Sequence, residues 1–361
     1  MQALVLVGGQ GTRLRPLTLT QPKPAVPLVD RPFIAYMVDW LGSHGVDDIV
    51  MACGFRAEDL RSALGDGGSG GPRIRYVEES RPLGTAGPIR LAADQGLLGE
   101  RFCVLNGDLL TDIDLSRTIA AHAAAQRVAT ISLYPVDDPS AFGLVRRDGE
   151  LVSEFLEKPD PAEIDTDEVN AGAYVLEREI CELIPADRSV SIERDVFPRL
   201  TGGRLGGVRL GGYWKDIGTP ERYLEASWDI LEGTVGTEPG GRAEAGILVE
   251  AGAGVDQAAE LEGPAWIGAG ALVRGGARVS RAVIGPGVEI SANADVAGSV
   301  ILAGSRVGRD ARIEDSILAT DVEVEAGALI PAGAVIGAGA RIRSNAGLAE
   351  NARVAPAEVP A

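Results

Sequence analysis

Histidine and cysteine are scarce in this chain of 361 residues, which has two of the first and three of the second. Cys53, Cys103 and Cys181 are far apart and odd in number, which fits neither a disulfide framework nor a clustered zinc site. We interpret them as reduced structural thiols. Neither His44 nor His122 lies in a motif, so imidazole-based catalysis has little to work with. Any chemistry must therefore come from carboxylates, lysines, arginines or a bound metal.

Positive charge and long apolar runs are also in short supply. The 34 Lys and Arg residues stand against 52 Asp and Glu residues, and the net charge is −18. Such a surface repels phosphate backbones, so a phosphate ligand must be small and must meet a local basic cluster. No stretch of 18 apolar residues occurs, and Met1 leads into an apolar segment without a charged leader before it. We expect a cytoplasmic protein with neither a membrane nor a nucleic-acid partner.

A glycine-rich turn close to the N-terminus is the most informative segment that is present. The apolar run Leu4–Val7 leads into three glycines within four residues, followed by Arg13 and Arg15. Glycines let the backbone pass close to a ligand, and turn N–H groups beside arginines suit an anion. The turn is not a Walker A loop, because no Lys-Ser/Thr pair follows, and it lacks the third glycine of the dinucleotide fingerprint. It predicts a polyphosphate cradle of another kind, the alternative being an ordinary turn with solvated arginines.

Apolar strand-like runs alternate with helical stretches up to about residue 232. This alternation is typical of an α/β domain built on a largely parallel sheet. Thr219-Pro220-Glu221 supplies an N-cap, a first-turn proline and a first-turn acid, which predicts a helix extending to about Leu231. The predicted strands are Ala3–Val7, Ile49–Ala52, Arg73–Val77, Phe102–Leu105 and Thr130–Tyr134, and the other predicted helices are Phe33–His44, Ala57–Leu64, Ala86–Leu98 and Leu115–Gln126, with a loop at Gly65–Gly71.

A different pattern begins after the Gly/Pro/Thr/Glu stretch at 233–241. Apolar residues recur every five or six positions from Val249 to Ile342, and three such steps make a coil, as Ile267, Ile284 and Ile301 illustrate. This is the hexapeptide signature of a parallel β-helix, and another β-rich arrangement is the alternative. We expect this solenoid to build a homo-oligomer, because its end coils expose apolar edges and its Ala-rich coils offer flat packing surfaces. The predicted domains are a catalytic domain at 1–232, a linker at 233–248, the β-helix at 249–345 and a tail at 346–361.

Two aspartates at the ends of strand-like segments are candidate metal ligands. Asp108 ends the buried-strand pattern that begins at Phe102, and ligands of open α/β sheets gather at the carboxyl ends of strands. Asp216 stands just before the helix start at Thr219. Two carboxylates together with phosphate oxygens and water form the oxygen-rich set that Mg²⁺ prefers. Each aspartate taken alone is more often a turn or cap residue.

Two lysines lie beside prolines that stiffen their loops. Lys23 is flanked by Pro22 and Pro24, and Lys158 precedes Pro159. A stiff loop reduces the entropy lost when the ammonium group is held in one place. A solvated surface lysine is the alternative for each of them taken singly.

A series of short motifs runs in order along the N-terminal domain. They are Gly-Gly-Gln-Gly-Thr-Arg-Leu-Arg-Pro at 8–16, Pro-Lys-Pro at 22–24, Pro-Leu-Gly-Thr-Ala-Gly-Pro at 82–88, Asn-Gly-Asp at 106–108, Phe-Gly at 142–143, Glu-Lys-Pro at 157–159, Asn-Ala-Gly at 170–172 and Trp-Lys-Asp-Ile-Gly-Thr-Pro at 214–220. The series resembles the sugar-1-phosphate nucleotidyltransferase (nucleotide-sugar pyrophosphorylase) family over essentially the whole domain. The resemblance implies a Rossmann-like nucleotidyltransferase domain with a mostly parallel sheet, followed by the left-handed parallel β-helix that many members carry.

Within that family the chain most resembles the mannose-1-phosphate guanylyltransferase branch, through Leu83–Pro88 and Ser191–Pro198. The resemblance implies Mg²⁺-assisted transfer of a nucleoside monophosphate from an NTP, most of all GTP, to a sugar 1-phosphate, most of all mannose 1-phosphate. Thymidylyl, uridylyl or adenylyl transfer, glucose, heptose or another sugar, and a catalytically silent regulatory paralogue remain as alternatives. An acyltransferase is disfavoured, because such β-helix enzymes typically use a histidine base and none occurs between 249 and 342.

The resemblance also implies roles for individual residues. Lys23 would meet the phosphates of the nucleotide, Lys158 would hold the sugar phosphate, and Asp108 and Asp216 would ligate Mg²⁺; together with Arg13 these are the predicted catalytic residues. The predicted nucleotide contacts are Leu6, Gly8, Gly9, Gly11, Thr12, Arg13, Lys23, Glu79, Gly84, Thr85, Asn106 and Asp108, and the predicted sugar-phosphate contacts are Gly143, Glu157, Lys158, Asn170 and Asp216.

The choice of base is expected to depend on Glu79 and Gly84, which by resemblance occupy the base-reading positions. Guanine presents two adjacent donors, N1–H and N2–H, which an acceptor-only carboxylate receives together. Thymine and uracil alternate an acceptor and a donor, which a glutamine serves better. A solvated loop acid is the alternative for Glu79, and Glu78 is the alternative reader.

Overall fold

The computed structural model describes residues 1–54, 56–68, 70–244 and 246–360. Within it the chain forms two compact units, of which unit 1 comprises Met1–Gly9 and Ile34–Trp214 and unit 2 comprises Gln10–Phe33 and Lys215–Ala361. Each unit has a core of buried apolar side chains of its own. The predicted domain boundaries remain predictions.

The predicted strands and helices occur in the predicted order up to Pro135, whereas the strands between Gly143 and Asp216 follow one another without an α-helix between them. The strands are β1 (Gln2–Leu6), β2 (Pro27–Leu28), β3 (Arg31–Pro32), β4 (Asp48–Cys53), β5 (Arg73–Glu78), β6 (Arg101–Asn106), β7 (Leu109–Thr111), β8 (Ala129–Pro135), β9 (Gly143–Asp148), β10 (Leu151–Glu157), β11 (Glu168–Glu177), β12 (Leu205–Arg209) and β13 (Trp214–Asp216). The helices are α1 (Leu17–Thr20), α2 (Phe33–Ser43), α3 (Ala57–Leu64), α4 (Gly87–Asp94), α5 (Leu115–Ala125), α6 (Pro220–Leu231) and α7 (Glu238–Arg242).

Most of the strands of unit 1 form one sheet in the order β5-β4-β1-β6-β11-β8-β12-β10-β9. The pairs among β5, β4, β1 and β6 are parallel, and so is β8 with β12. The remaining pairs are antiparallel, so the sheet is mixed where the prediction had it mostly parallel. The reason is local in part: only Gly149 and Glu150 separate Asp148 from its partner Leu151, and a two-residue turn joins antiparallel strands.

The helix ends follow local signals. The helix predicted to reach Leu98 ends at Asp94, because Gly96 has a φ of +70° and glycine in that conformation typically stops a helix. The helix predicted from Pro220 to Leu231 has those bounds, and the Thr219 hydroxyl accepts the Arg222 N–H at 3.4 Å. Across the described part of the chain, no helix is both long and apolar enough to cross a membrane.

Unit 2 contains the predicted β-helix. The apolar residues at coil spacing, such as Ile284, Ile301 and Leu318, point into a common core and are 0% exposed. All of the paired strands of the coils are parallel, for example β19 with β22 and β22 with β25. The strands are β14 (Ile247–Val249), β15 (Gly254–Val255), β16 (Glu260–Ile267), β17 (Leu272–Val273), β18 (Arg278–Ile284), β19 (Glu289–Ile290), β20 (Asp295–Ala297), β21 (Val300–Ile301), β22 (Arg306–Val307), β23 (Arg312–Glu314), β24 (Ile317–Leu318), β25 (Glu323–Val324), β26 (Leu329–Ile330), β27 (Val335–Ile336), β28 (Arg341–Ile342) and β29 (Arg353–Val354).

One face of the coils is buried on its outer side as well, which the hexad pattern alone does not reveal. Val283, Val300 and Ile317 precede the inward-pointing residues and are also 0% exposed. In the same unit, α6 packs against β16, and the Arg281 guanidinium lies 5.5 Å from the centroid of the Trp228 ring. The β-helix is therefore packed against the helix that follows Asp216.

Alternating charges line two outer faces of the coils. Glu289, Arg306, Glu323 and Arg341 occupy paired positions on successive strands of one sheet. A second column on another face runs through Glu260, Arg278, Asp295 and Arg312. Two of the neighbouring pairs form ion pairs, Arg278 with Glu260 at 2.9 Å and Arg341 with Glu323 at 3.5 Å. Opposite signs thus meet at each step of both columns.

A substitution in the core of the β-helix tests whether its apolar residues pack inside the coils. Replacing Ile301, which is fully buried, in an Ile301→Ala variant should lower the free energy of unfolding by about 2–5 kcal/mol, because the cavity forfeits apolar contacts. Urea unfolding followed by circular dichroism measures the change. Arg312→Ala, on an outer face of the same coils, is the control and should unfold at nearly the wild-type midpoint. Equal midpoints for both variants would contradict the assignment of Ile301 to the core.

Candidate active site

The backbone at the end of β1 is in close contact with the chain on both sides. The Gly107 N–H donates to the Leu6 carbonyl at 2.9 Å, and a Cβ on Gly107 would lie 2.7 Å from that same oxygen. On the other side, a Cβ on Gly54 would lie 2.9 Å from the Gly8 carbonyl oxygen. Both flanking positions therefore require glycine. Gly54 was not among the predicted site residues, and its signal is its place directly after the buried strand β4.

Glu79 lies against the glycine-rich turn. A Cβ on Gly8 would come within 2.8 Å of Glu79 Oε1, and the Leu83 N–H donates to Glu79 Oε2 at 2.9 Å. Burial raises the pKa of Glu79 above its ordinary value, although the hydrogen bond from Leu83 acts to lower it. Glu78 is exposed instead and pairs with Arg61 at 3.7 Å. Of the two adjacent acids, Glu79 is the one that the structure holds at the turn.

The turn that contains Gly84 is fixed by main-chain hydrogen bonds. Val190 N–H donates to the Leu83 carbonyl and Ala86 N–H donates to the Val190 carbonyl, each at 2.9 Å. Gly84 has a φ of +78°, and a Cβ there would collide with the Val190 carbonyl. Only glycine fits this position without strain, and the two hydrogen bonds hold the turn against Val190.

A buried carboxylate that was not among the predicted site residues lies behind this turn. Glu193 is 8% exposed, and its Oε2 accepts hydrogen bonds from the Thr85 hydroxyl at 2.6 Å and the Ser191 hydroxyl at 2.8 Å. Its Oε1 accepts a weaker bond from the Tyr174 hydroxyl at 3.4 Å, and that hydroxyl accepts the Asn170 side-chain N–H at 2.8 Å. The signal in the sequence was an acid inside the quoted Ser191–Pro198 motif.

Gly143, Glu157 and Lys158 come together where β9 and β10 pair. A Cβ on Gly143 would lie 2.9 Å from Glu157 Oε2. Burial raises the pKa of Glu157, and the nearby charge of Glu193 raises it further against the opposing effect of Lys158. Lys158 has a left-handed φ of +54°, and its N–H donates to the Phe142 carbonyl at 3.1 Å. A non-glycine residue in this conformation is held there by its surroundings, and such strain is typical of functional sites.

Asn170 and Asn106 both lie beside Gly172, at a tight bend in β11. The Gly172 N–H donates to Asn170 Oδ1 at 2.9 Å. Gly172 has a φ of +69°, and a Cβ there would lie 2.8 Å from Asn106 Nδ2. The register of β11 against β8 shifts between Asn170, which pairs with Leu133, and Tyr174, so the bend lies directly after Asn170.

Aromatic rings border the same bend. The Trp214 indole N–H donates to the Ala171 carbonyl at 2.8 Å. The Trp214 ring stacks on Tyr134 with a centroid separation of 5.5 Å and meets Phe142 edge to face at 5.2 Å. Amides, a carboxylate and ring faces together suit a polar ligand that carries several hydroxyl groups.

In unit 2, three cationic side chains surround one carboxylate. Lys23 Nζ lies 3.9 Å from Asp216 Oδ1, and Arg13 Nη2 lies 3.9 Å from Asp216 Oδ2. Arg222 Nη1 donates to the same Oδ2 at 3.2 Å. The ammonium of Lys23 is almost buried, since the residue is 9% exposed. The cluster carries an excess of positive charge inside a strongly acidic chain, which favours a small polyanion. Arg222 was not predicted, and its signal is its place in the first turn of the helix after Asp216.

Two glycines make this cluster possible. A Cβ on Gly218 would collide with the Arg13 guanidinium. Gly11 has a φ of +58°, and a Cβ there would lie 3.0 Å from both Lys23 Cβ and Thr18 Cγ2. The Thr18 hydroxyl donates to the Gly11 carbonyl at 2.8 Å. The short turn that begins at Thr12 follows directly.

The predicted site residues thus belong to two groups, one in each unit. The predicted metal ligands are divided in the same way, with Asp108 in unit 1 and Asp216 in unit 2. Unit 1 holds Leu6, Gly8, Gly9, Glu79, Gly84, Thr85, Asn106, Asp108, Gly143, Glu157, Lys158 and Asn170, and unit 2 holds Gly11, Thr12, Arg13, Lys23 and Asp216.

The donor chemistry of the two aspartates fits a magnesium ion. Carboxylate oxygens are hard donors, and Mg²⁺ is usually bound by one or two carboxylates with phosphates and water completing the octahedron. In the part of the chain that the structure describes, no group of three or more His, Cys, Asp or Glu side chains could hold a metal ion.

Comparison with protein families finds two matches along the chain. Residues 2–233 match the model of the nucleotidyl transferase family, and residues 245–348 match that of the EIF2B subunit epsilon LbH domain. Among curated proteins, the chain is 40% identical over 238 residues to a mannose-1-phosphate guanylyltransferase of Mycobacterium tuberculosis, a match that covers 64% of this chain and 65% of the relative. It is 39% identical over 233 residues to a mannose-1-phosphate guanyltransferase of Candida albicans, covering 63% and 64%. The match thus spans slightly less than two thirds of these relatives.

A solved structure is similar to part of the chain. It is a putative glucose-1-phosphate thymidylyltransferase from Bacillus anthracis in complex with a sucrose. The TM-score is 0.57 at 27% identity, and the match covers 63% of this chain and 94% of that one.

The cation cluster around Asp216 can be tested with a simple anion. A Gly218→Ala variant forces the Arg13 guanidinium away, so its affinity for inorganic pyrophosphate should fall roughly tenfold, since a hydrogen bond to a charged group contributes about 1.5–3 kcal/mol. Isothermal titration calorimetry measures the change. Gly211→Ala is the matched control, because nothing lies within 4 Å of a Cβ there. Indistinguishable pyrophosphate affinities of the two variants would show that Arg13 does not bind the anion.

Proposed function

The chain belongs to the nucleotidyl transferase family, and from that premise we propose that it transfers a nucleoside monophosphate from an NTP to a sugar 1-phosphate. The proposed substrates are GTP and mannose 1-phosphate, and the products are GDP-mannose and pyrophosphate. The observation that carries the choice of nucleotide is the carboxylate of Glu79, which is held between Gly8 and the Leu83 N–H. The names of the curated relatives support the same choice.

Glu79 suits guanine because of what a carboxylate lacks. It offers only acceptors when ionised, and guanine presents two adjacent donors on its Watson–Crick edge. Thymine and uracil present a single donor between acceptors, which a carboxylate meets less well. The turn at Gly84, which packs against Val190, would present its backbone to the base.

The sugar 1-phosphate is proposed to bind in unit 1 around the bend in β11. Glu157 would accept hydrogen bonds from hydroxyl groups and Asn170 would donate to them, while glycine at 143 makes room for the Glu157 carboxylate. Lys158, which directly follows Glu157, would bind the phosphate of the sugar. Its left-handed backbone conformation fixes where its side chain starts.

The proposed reaction needs no general base. A phosphate monoester has a second pKa of about 6 and is mostly a dianion at neutral pH, so its oxygen is already a nucleophile. That oxygen attacks the α-phosphorus in line, the bond from the α-phosphorus to the bridging oxygen breaks, and pyrophosphate leaves with the electron pair. Arg13 and Lys23 would offset the charge that grows on the leaving group. Bound Mg²⁺, for which Asp108 and Asp216 are the proposed ligands, would supply further charge neutralisation.

A screen of substrate pairs tests the proposal. The purified chain is incubated with GTP, ATP, UTP or dTTP and with 1-phosphates of mannose, glucose and heptose, and pyrophosphate release is measured. We expect the fastest release with GTP and mannose 1-phosphate. Faster release with dTTP and glucose 1-phosphate would instead support thymidylyl transfer, the activity for which the B. anthracis protein is named. No release with any pair would overturn the proposed transferase.

The homo-oligomer predicted for the β-helix stays a prediction, which light scattering of the full chain addresses.

The two lysines should be separable by kinetics. Lys158→Ala should raise KM for the sugar 1-phosphate at least tenfold while KM for the nucleotide changes little, because a charge-assisted contact to one substrate is lost. Lys23→Ala should show the opposite pattern and should also weaken pyrophosphate binding in the reverse reaction. Initial rates with each substrate varied at saturating levels of the other provide the measurement. A reversed pattern would mean that the two roles are exchanged.

The base assignment predicts a change of preference. Glu79→Gln should reduce the preference for GTP over dTTP by roughly tenfold or more, because a hydrogen bond to a charged group contributes about 1.5–3 kcal/mol. Glu78→Gln is the matched control and should keep the wild-type preference, since Glu78 is exposed. Competition between the two nucleotides, measured as a ratio of kcat/KM, is the assay.

The same carboxylate predicts a pH dependence. Only the ionised form accepts both guanine donors, and burial raises the pKa of Glu79, so protonation begins at a higher pH than for an ordinary glutamate. The preference for GTP should therefore decline as the pH falls towards that raised pKa. In Glu79→Gln the preference should stay flat over the same range, and a parallel decline in both proteins would assign the titration to another group.

A further inference from the structure

We propose that Glu193 is a positioning residue that links the base-side turn, Leu83–Ala86, to the sugar-side bend of β11, so that binding on one side strengthens binding on the other. The inference rests on the proposed function for the identity of the two ligands. The link itself is a chain of hydrogen bonds within unit 1 that runs from Thr85 through Glu193 to Tyr174 and Asn170.

On the base side, Glu193 fixes Thr85 from one direction while the backbone fixes it from another. The Thr85 hydroxyl donates to Glu193 Oε2 at 2.6 Å and accepts the Ile192 N–H at 2.8 Å. Both lengths are those of well-formed hydrogen bonds, and the one to the carboxylate is charge-assisted. Thr85 directly follows Gly84, so a shift of the turn on nucleotide binding is transmitted to the carboxylate.

On the sugar side, the other carboxylate oxygen faces Tyr174. The Tyr174 hydroxyl donates to Glu193 Oε1 at 3.4 Å and accepts the Asn170 side-chain N–H at 2.8 Å. Tyr174 is fully buried and meets the Phe197 ring edge to face at 5.0 Å, so its hydroxyl moves little by itself. Asn170 is therefore oriented through a rigid ring by the position of Glu193.

The electrostatics tie the same carboxylate to a second sugar-side residue. The charge of Glu193 contributes to the raised pKa of Glu157, after burial, so the two carboxylates interact. A buried carboxylate is costly unless donors satisfy it, and Glu193 takes its donors from both sides of the site. When one donor shifts, the Glu193 carboxylate keeps its hydrogen bond only by shifting too, and this alters its hydrogen bond on the other side. Binding on the two sides becomes coupled in this way.

The experiment measures thermodynamic coupling between the two ligands, which would not change if Glu193 had only a structural role. In the full-length chain, calorimetry gives Kd for mannose 1-phosphate in the absence and in the presence of saturating guanosine 5′-(α,β-methylene)triphosphate, whose α–β linkage resists cleavage. We expect the wild type to bind the sugar phosphate about fivefold or more tightly in the presence of the analogue. In Glu193→Gln that ratio should fall to nearly one, while Kd for each ligand measured alone changes by a smaller factor.

Two further variants complete the test. Tyr174→Phe keeps the buried ring and removes only the hydroxyl, so it should lose the coupling as Glu193→Gln does; it carries the test if Glu193→Gln does not fold. Glu179→Gln makes the same chemical change at an exposed ion pair with Arg204 and should keep the wild-type ratio.

The outcomes separate this inference from the proposed function. A wild-type ratio retained in both Glu193→Gln and Tyr174→Phe would overturn the role of Glu193 while the proposed substrates stood. If the wild type turns over a different pair, the substrate assignment fails and the same ratio is measured with that pair and its α,β-methylene analogue. A wild type that shows no coupling with the pair it turns over would overturn the inference, and one that binds no pair would overturn both.

Discussion

Repulsion between a chain of net charge −18 and phosphate-rich ligands is the constraint that the candidate site has to satisfy. The structure satisfies this constraint by placing positive charges close together. Arg13, Lys23 and Arg222 surround the single carboxylate of Asp216. That carboxylate limits the mutual repulsion of the three cations in the free protein, and the positive charge of the three exceeds the negative charge of the one. The near burial of Lys23 matters here, because Coulomb interactions strengthen as water is excluded. Glycine at 11 and 218 then lets the cations stand this close to the main chain.

In unit 1 the side chains of the site are held in place by close contacts with the backbone and with buried groups. Gly8 and Gly54 pack main chain against main chain, and the carboxylate of Glu79 fills the remaining space beside them. The turn at Gly84 is pinned by Val190, and the buried Glu193 stands behind it. Such a site loses little entropy when a ligand arrives, because its polar groups are already oriented. Orientation of this sort is what phosphoryl transfer needs most, since the chemistry is largely positioning and electrostatics.

Features of the fold that repeat along the chain could be predicted from the sequence. The hexads of the β-helix and the alternation of strands and helices are local periodicities, and both are confirmed. The antiparallel half of the sheet was not predicted, because the pairing of β11 with β6 and β8 joins segments far apart in sequence.

At the site, the structure was needed to choose between Glu78 and Glu79. Adjacent residues of an extended segment point to opposite sides, and only the packing reveals which side faces the turn. Glu193, Tyr174 and Arg222 were missed for a related reason. Each acts through a neighbour, and a spacing pattern does not record which side chains meet. The roles of the predicted residues themselves came from resemblance and stay predictions.

The alternating charge columns on the β-helix constrain how its length can change during evolution. A coil of 17 residues can be duplicated or deleted without disturbing the apolar core, since every coil presents equivalent inward residues. On the outside, however, removal of the coil that carries Arg306 would bring Glu289 next to Glu323, and removal of a second coil would restore opposite neighbours. Strands in a sheet lie about 4.8 Å apart, close enough for like charges to repel appreciably. Solenoids of this type should therefore tolerate gain or loss of coils in even numbers more readily than in odd ones. This preference comes from the surface charges, because the apolar core accepts either number.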